Sequence, residues 1–254
     1  MLQVEGLTKN FGGLTAVGSV DMNIQPGELV GLIGPNGAGK TTFFNLLTGY
    51  IRPSEGKVTF EGRNLTGKKP HYVAAKGIVR NFQHDNVFAD FTVLDNLVLA
   101  AHLNSGINFW QTVLKTRASR RNESAIRQKA EETLELVGIR NLAGATAGSL
   151  AHGHKRMLGI AVALTCQPKL LLLDEPLAGM NVAEVNETIA LVRRLWESGL
   201  TVLLIEHNMR AAMSLCQRFY VLNFGRKIAE GTPDEIRDNP EVVRAYLGTG
   251  SHVA

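Results

Sequence analysis

The chain has 254 residues, 44% hydrophobic and 20% charged, with a mean hydropathy of 0.00 and a formal net charge of +4. That is the composition of a globular protein with a sizeable core, built as one large domain or as a domain with a subdomain. Two cysteines exclude a disulfide framework, and the absence of any window approaching 18 consecutive apolar residues excludes a membrane-spanning helix.

The mild positive charge suits an anionic nucleotide or a membrane surface without selecting either. Met1-Leu2-Gln3-Val4-Glu5 has neither the basic start nor the apolar run of a signal peptide, so the chain is expected in the cytoplasm unless a partner tethers it.

In chain order, residues 2–33 alternate apolar and polar stretches around a turn at Gln25-Pro26-Gly27-Glu28, which predicts antiparallel strands leading into a buried strand, Leu29–Ile33. Residues 34–41 read Gly-Pro-Asn-Gly-Ala-Gly-Lys-Thr, a complete G-x-x-x-x-G-K-[ST] loop. Chance supplies that match in roughly one per cent of chains this long. A helix is expected from Thr41 to Thr48, stopped by Gly49, and a hairpin strand at residues 58–62. Residues 92–137 turn helical, with Ile126, Ala130, Leu134 and Val137 on one face and Gly138 closing the helix. A second helix follows Gly153, with Met157, Ile160, Ala161 and Leu164 inward, and ends before Pro168.

The α/β rhythm then returns. Leu170–Leu173 predicts a strand covered on both faces. Asn181 caps a helix with Glu184 at its third position and a stripe of Val185, Ile189, Val192 and Trp196. Thr201–Ile205 reads as another buried strand, and residues 219–223 and 227–230 as a pair around Gly225. Thr232-Pro233-Asp234-Glu235 reads as a capping box with proline at the first helical position. No internal repeat or low-complexity tract interrupts this order.

The chemistry concentrates where strands end. Glycines at 34, 37 and 39 let consecutive backbone N–H groups aim at phosphate oxygens, and the following helix start adds positive potential. Lys40 would hold the terminal phosphates and the Thr41 hydroxyl would ligate Mg²⁺. Asp174, at the carboxyl end of a central strand, faces the crevice where open α/β sheets bind ligands, and fits a residue that orients Mg²⁺ through water. Glu175 is placed to polarise an attacking water. His207 follows the 201–205 strand, which delivers it to the same sheet edge for contact with a γ-phosphate.

The phosphate loop (Gly34, Pro35, Asn36, Gly37, Ala38, Gly39, Lys40, Thr41, with Thr42), Gln83, the stretch Ser149–His154, the Leu170–Glu175 strand and His207 occur in the order and spacing of an ABC transporter ATPase subunit. Within that family the chain closely resembles the LivG-type ATP-binding subunits of branched-chain amino acid importers, over essentially its whole length. The specific marks are Phe11-Gly12-Gly13-Leu14, Asn81-Phe82-Gln83-His84, Gly179-Met180-Asn181 and Ala245-Tyr246-Leu247-Gly248.

The resemblance implies an α/β fold of the P-loop ABC ATPase type: a single domain over 1–254, whose α/β nucleotide core and antiparallel β part carry an inserted helical lobe at about 88–165. It implies ATP and Mg²⁺ as cofactors, Phe11 stacked on adenine, and Gln83 as a Mg²⁺ ligand that links the γ-phosphate to the helical lobe. Two such subunits would sandwich ATP, each site joining one subunit's phosphate loop to the other's signature segment. Closure on ATP would drive the permease and hydrolysis would reset it. The implied partners are two membrane permease subunits, a second related ATPase and an external substrate-binding protein, with no nucleic acid. The implied location is peripheral, on the cytoplasmic face of the bacterial inner membrane.

The signature departs from the family's Leu-Ser-Gly-Gly-Gln and reads Leu150-Ala151-His152-Gly153-His154. Ala151 has no hydroxyl for phosphate and His154 replaces glutamine, while backbone N–H groups at a helix start still hold an anion. Residues 104–122 read as an insertion carrying Trp110 and the basic cluster Lys115, Arg117, Arg120 and Arg121, either a solvated segment or a contact with anionic headgroups or a permease loop. Related subunits serving urea, amide or lipopolysaccharide transport share this pattern. Non-transport ABC ATPases of DNA repair or translation usually add a second nucleotide domain or a long coiled coil, and this chain has neither.

Overall fold

The computed structural model describes residues 1–81, 87–104 and 117–247, with the backbone alone at 103, 104 and 117–122. Gln83 lies outside the described residues, as do Trp110 and Lys115. The chain divides into two compact units: Met1–Arg80 with Lys169–Ala178 and the chain from Val192 onward, and Asn81–Pro168 with Gly179–Leu191.

The first unit holds two sheets. One is antiparallel, in the order β2-β1-β4-β5, from β1 (Leu2–Phe11), β2 (Leu14–Ile24), β4 (Glu55–Phe60) and β5 (Arg63–Asn64). Alternation in β1 buries Leu2, Val4 and Leu7 and exposes Gln3 and Glu5, the period of a strand with one wet face. The other sheet runs β10-β9-β3-β8-β7-β6 and contains β3 (Leu29–Ile33), β6 (Ile78–Asn81), β7 (Leu170–Asp174), β8 (Thr201–Ile205), β9 (Arg218–Asn223) and β10 (Arg226–Gly231). Every residue of β3, β7 and β8 is buried, as parallel strands covered on both faces require. These strands are parallel, β9 also runs parallel to β3, and β10 closes the edge antiparallel to β9.

Helix α1 (Lys40–Leu47) follows β3 and buries Phe43 and Phe44 in a core shared with Leu172, Leu203 and Tyr220. It ends at Thr48, with Gly49 beyond it at φ 76°. Helices α2 (Pro70–Ala75), α7 (Met209–Leu215), α8 (Pro233–Arg237) and α9 (Pro240–Leu247) complete this unit. The capping box at Thr232 forms as read: its hydroxyl accepts from the Glu235 amide, and the Glu235 carboxylate accepts from the Thr232 amide.

The second unit packs α3 (Val93–Asn104), α4 (Arg117–Val137) and α5 (His152–Thr165) together with the first part of α6 (Val182–Glu197). In α4, Ala130, Leu134 and Val137 are buried, Ile126 is half-buried, and Gly138 ends the helix at φ 86°.

Two readings need correction. Helix α5 begins at His152, so Gly153 lies inside its first turn, and Leu164 is only half-buried. The buried stripe of α6 is Thr188, Leu191, Val192 and Leu195; Val185, Ile189 and Trp196 are half-buried beside it. Thr188 can be buried because its hydroxyl donates to the Glu184 carbonyl at 2.9 Å. Half-buried Trp196 satisfies its indole N–H on the Gly27 carbonyl at 2.7 Å. Among the described residues, no helix is long and apolar enough to cross a membrane.

Candidate functional site

A cavity of about 470 Å³ opens at the carboxyl ends of β3, β7 and β8, lined by residues 36–42, Leu14–Ala16, Glu175, His207, Phe224 and Gly225. Its size is that of a small-molecule site. Strand β3 delivers the loop from below, and glycine is enforced where the loop turns. A Cβ on Gly34 (φ 150°) would sit 2.1 Å from the Leu222 carbonyl oxygen, and one on Gly39 (φ 99°) 2.5 Å from that of Ala16. Gly39 caps α1 with no side-chain hydrogen bond, so the loop and helix start present backbone N–H groups to an anion.

Lys40 is buried, and its ammonium donates to the carbonyls of Gly34 at 2.6 Å and Pro35 at 2.9 Å. Burial lowers its pKa, opposed by the negative charges of Glu175 and Asp174. The Thr41 side chain is exposed on the cavity wall. Asp174 ends β7 and Glu175 follows it; the register pairs Asp174 with Ile205 of β8 and so sets His207 beside them. His207 Nε2 lies 2.5 Å from Glu175 Oε1. Glu175 holds a left-handed backbone at φ 48°, with its N–H donating to the Ile205 carbonyl at 2.9 Å. Strain of that kind is kept where surrounding structure fixes a side chain for use.

Three groups escaped sequence reasoning. Asp174 forms a buried ion pair with Arg80, whose guanidinium also donates to Asn45 Oδ1 of α1 at 2.6 Å. Glu206 is buried, and its carboxylate accepts from the amides of Leu177 (2.8 Å), His207 (3.1 Å) and Asn208 (3.4 Å), which clamps the turn after Glu175 to the turn carrying His207. Burial pushes its pKa up against those three donors. Tyr246 on α9 accepts from the Gly34 amide and meets Met209 Sδ at 3.5 Å; burial pushes its phenol up to about 12. The only sequence signal for these was an acid next to His207 and a tyrosine in the Ala245–Gly248 mark.

Phe11 is 48% exposed, paired across the β1–β2 hairpin with Leu14 of the cavity wall, and carries the Lys9 ammonium 5.0 Å from its ring centroid. In the second unit, Leu150 is buried, Ala151 is the N-cap of α5 with no side-chain hydrogen bond, and His152 and His154 are exposed. His152 packs on Gly179, and Gly153 sits where a Cβ would lie 2.4 Å from Glu184 Oε1. Glu184 is itself held by Asn181: each accepts from the other's amide, at 3.0 and 2.9 Å. The Gly179-Met180-Asn181 mark is thus the floor under residues 152–153. Among the described residues, no three His, Cys, Asp or Glu could together hold a metal ion.

Residues 17–178 match the family model described as ABC transporter, and residues 226–252 match one described as branched-chain amino acid ATP-binding cassette transporter. Over 249 residues, covering 98% of both chains, the sequence is 44% identical to the high-affinity branched-chain amino acid transport ATP-binding protein BraF of Pseudomonas aeruginosa. It is 45% identical to LivG of Salmonella typhimurium over the same length and coverage. The lipopolysaccharide export ATP-binding protein LptB of Haemophilus influenzae is 33% identical over 248 residues, 98% of this chain and 97% of that one. Among solved structures, the ADP conformation of MJ1267, an ATP-binding cassette of an ABC transporter, superposes with a TM-score of 0.85 at 31% identity, over 98% of each chain.

Proposed function

Because the chain belongs to the ABC transporter family, as an ATP-binding and ATP-hydrolysing subunit, we propose that it energises the import of branched-chain amino acids through membrane permease partners. The observation that carries the enzymatic part is the convergence of Lys40, Glu175 and His207 on one cavity over a complete phosphate loop. The cargo rests on the match of residues 226–252 and on relatives that are 44–45% identical, against 33% for the lipopolysaccharide exporter subunit.

Backbone amides of residues 36–42 hold the phosphates of ATP, and Lys40 exchanges its two carbonyl partners for phosphate oxygens. Glu175 takes the proton of the attacking water, and His207, tied to it, orients that carboxylate and reaches the γ-phosphate. Phe11 stacks on the adenine. The oxygen chemistry of Thr41, Gln83 and Asp174 fits Mg²⁺, a hard cation that keeps water ligands: the Thr41 hydroxyl and the Gln83 side chain would hold it, with Asp174, paired with Arg80, acting through water. Bound there, the ion would supply positive charge against the phosphates.

The whole chain acts as one ATPase domain whose helical lobe, roughly 88–165, grips the permeases. A second, related ATPase supplies the facing half-site, and residues 150–154 of this chain close over that partner's ATP. An external binding protein delivers the amino acid, and the assembly works on the cytoplasmic face of the inner membrane.

The test is Glu175→Gln in the complex reconstituted with its permeases. Steady-state hydrolysis and uptake of leucine, isoleucine and valine should fall by about 10²- to 10⁴-fold while ATP binding persists. Near-normal turnover would place the base elsewhere, and normal hydrolysis stimulated by a different cargo would overturn the amino acid assignment.

A further inference from the structure

The turn joining β9 to β10 has two residues, Phe224 and Gly225, with Asn223 and Arg226 paired across it. Both backbones are left-handed, at φ 44° and 77°, the signs of a type I′ turn. The first position of such a turn favours asparagine, aspartate or glycine, because a bulky side chain pays steric strain there. This chain instead carries a phenylalanine that is 82% exposed. Neither the fold nor the turn asks for that ring.

The turn is also fixed to the candidate site. The Gly225 N–H donates to the Ala38 carbonyl of the phosphate loop at 3.0 Å, and the Gly225 carbonyl accepts from the Gly18 amide of β2 at 2.8 Å. Phe224 therefore lines the cavity on a mount that cannot shift without moving the loop. Residues 36–42 take the phosphate end of a nucleotide, and Glu175 and His207 face its terminus. The lining left for the nucleoside is then Leu14, Thr15, Ala16, Phe224 and Gly225. Among the lining residues Phe224 supplies the one phenyl ring; Phe11 is not among them.

We propose that Phe224 is a nucleoside-binding residue, packing its ring on the base–ribose end of ATP from the β9–β10 turn. Stacking of this kind tolerates any base and needs only an apolar, rigidly held π-face. The strain at φ 44° is then the cost of holding an aromatic ring at a cavity mouth that the preferred turn residues would leave bare.

The proposal rests on the reading of the cavity as an ATP site, and its test separates the two. The full-length protein would be titrated with ATP and with inorganic tripolyphosphate, which lacks a nucleoside. Phe224→Ala and Phe224→Gly should bind ATP about 5- to 150-fold more weakly, with tripolyphosphate binding unchanged and Phe224→Tyr close to the parent. Phe224→Gly should in addition match or exceed the parent in melting temperature, because it relieves the left-handed strain. A ring needed only for folding, or only for contact with a partner subunit, would not divide the two ligands. Parental ATP affinity in both variants, or an equal loss of both ligands, overturns the role of Phe224. Failure of the parent protein to bind ATP overturns the ATP-site reading itself.

Discussion

The phosphate-loop unit and the signature segment, which we propose both meet ATP, are built by opposite means. In the first, each charged side chain has a fixed partner: Lys40 two backbone carbonyls, Glu175 the His207 ring, Asp174 the Arg80 guanidinium, and Glu206 the amides of the turns after Glu175 and at His207. In the second, Ala151 caps α5 without a side-chain bond, the two histidines are exposed, and what is fixed is backbone, seated on Gly179 and Glu184. The difference is one between a site of side-chain chemistry and a site of amide dipoles. Single substitutions should therefore cost much in the former and little in the latter.

The largest effect tests the most buried link. Arg80→Ala leaves Asp174 charged and unpaired in a pair whose side chains are only 7% and 3% exposed, and should destabilise the first unit by about 3–5 kcal/mol. Denaturant unfolding measures it, and a loss under about 1 kcal/mol would mean that Asp174 relies on other partners. Next comes the inequality between half-sites. If the partner ATPase supplies a serine-bearing signature, the site over this chain's Lys40 gains a hydrogen bond to phosphate worth about 1.5–3 kcal/mol that the other site lacks. Lys40→Ala here should then depress transport ATPase activity tenfold or more beyond the matching change in the partner. Equal losses, or full activity of this chain as a homodimer, would erase the contrast.

Phe11→Ala should weaken ATP binding by about 1–3 kcal/mol with Phe11→Tyr tolerated. Its half-exposed ring predicts no comparable fall in melting temperature, so a fall in stability alone would remove Phe11 from the site. The smallest effect sharpens the signature side. Ala151 has the extended backbone of an N-cap at φ −60° and ψ 156°, so Ala151→Ser should stabilise α5 by about 1 kcal/mol through a bond to a first-turn amide. A melting temperature that is unchanged or lower would show that the new hydroxyl points away from the helix start.

What was legible in the sequence was local. The phosphate loop announced itself through its glycines, of which Gly34 and Gly39 leave no room for a Cβ, and the apolar runs of β3, β7 and β8 marked the parallel sheet that lines up Asp174 and His207. The missed groups act over distance: Arg80 meets Asp174 from 94 positions away and Glu206 meets Leu177 from 29, and nothing in the intervening chain marks either pairing. The α6 stripe was displaced because Val185 and Ile189 weigh more in an apolar count than Thr188, whose hydroxyl is silenced by its own helix. Phe224 carried a signal of another kind, a residue type at odds with its turn, which becomes visible only once both φ values are known.

The position of β3 has a consequence for how the protein is made. Its sheet neighbours are β8 and β9, both encoded after residue 200, while β7 and β6 lie farther out. On a ribosome adding about 5–20 residues per second, the strand that carries the phosphate loop waits roughly ten to thirty seconds for any sheet partner. The antiparallel β1–β2–β4 sheet and the helices of the second unit can form in that interval, with the loop unsupported. ATP therefore cannot template the early folding of this chain; it can reward only a nearly finished one, and the last stretch of translation converts a bare apolar strand into the floor of the site.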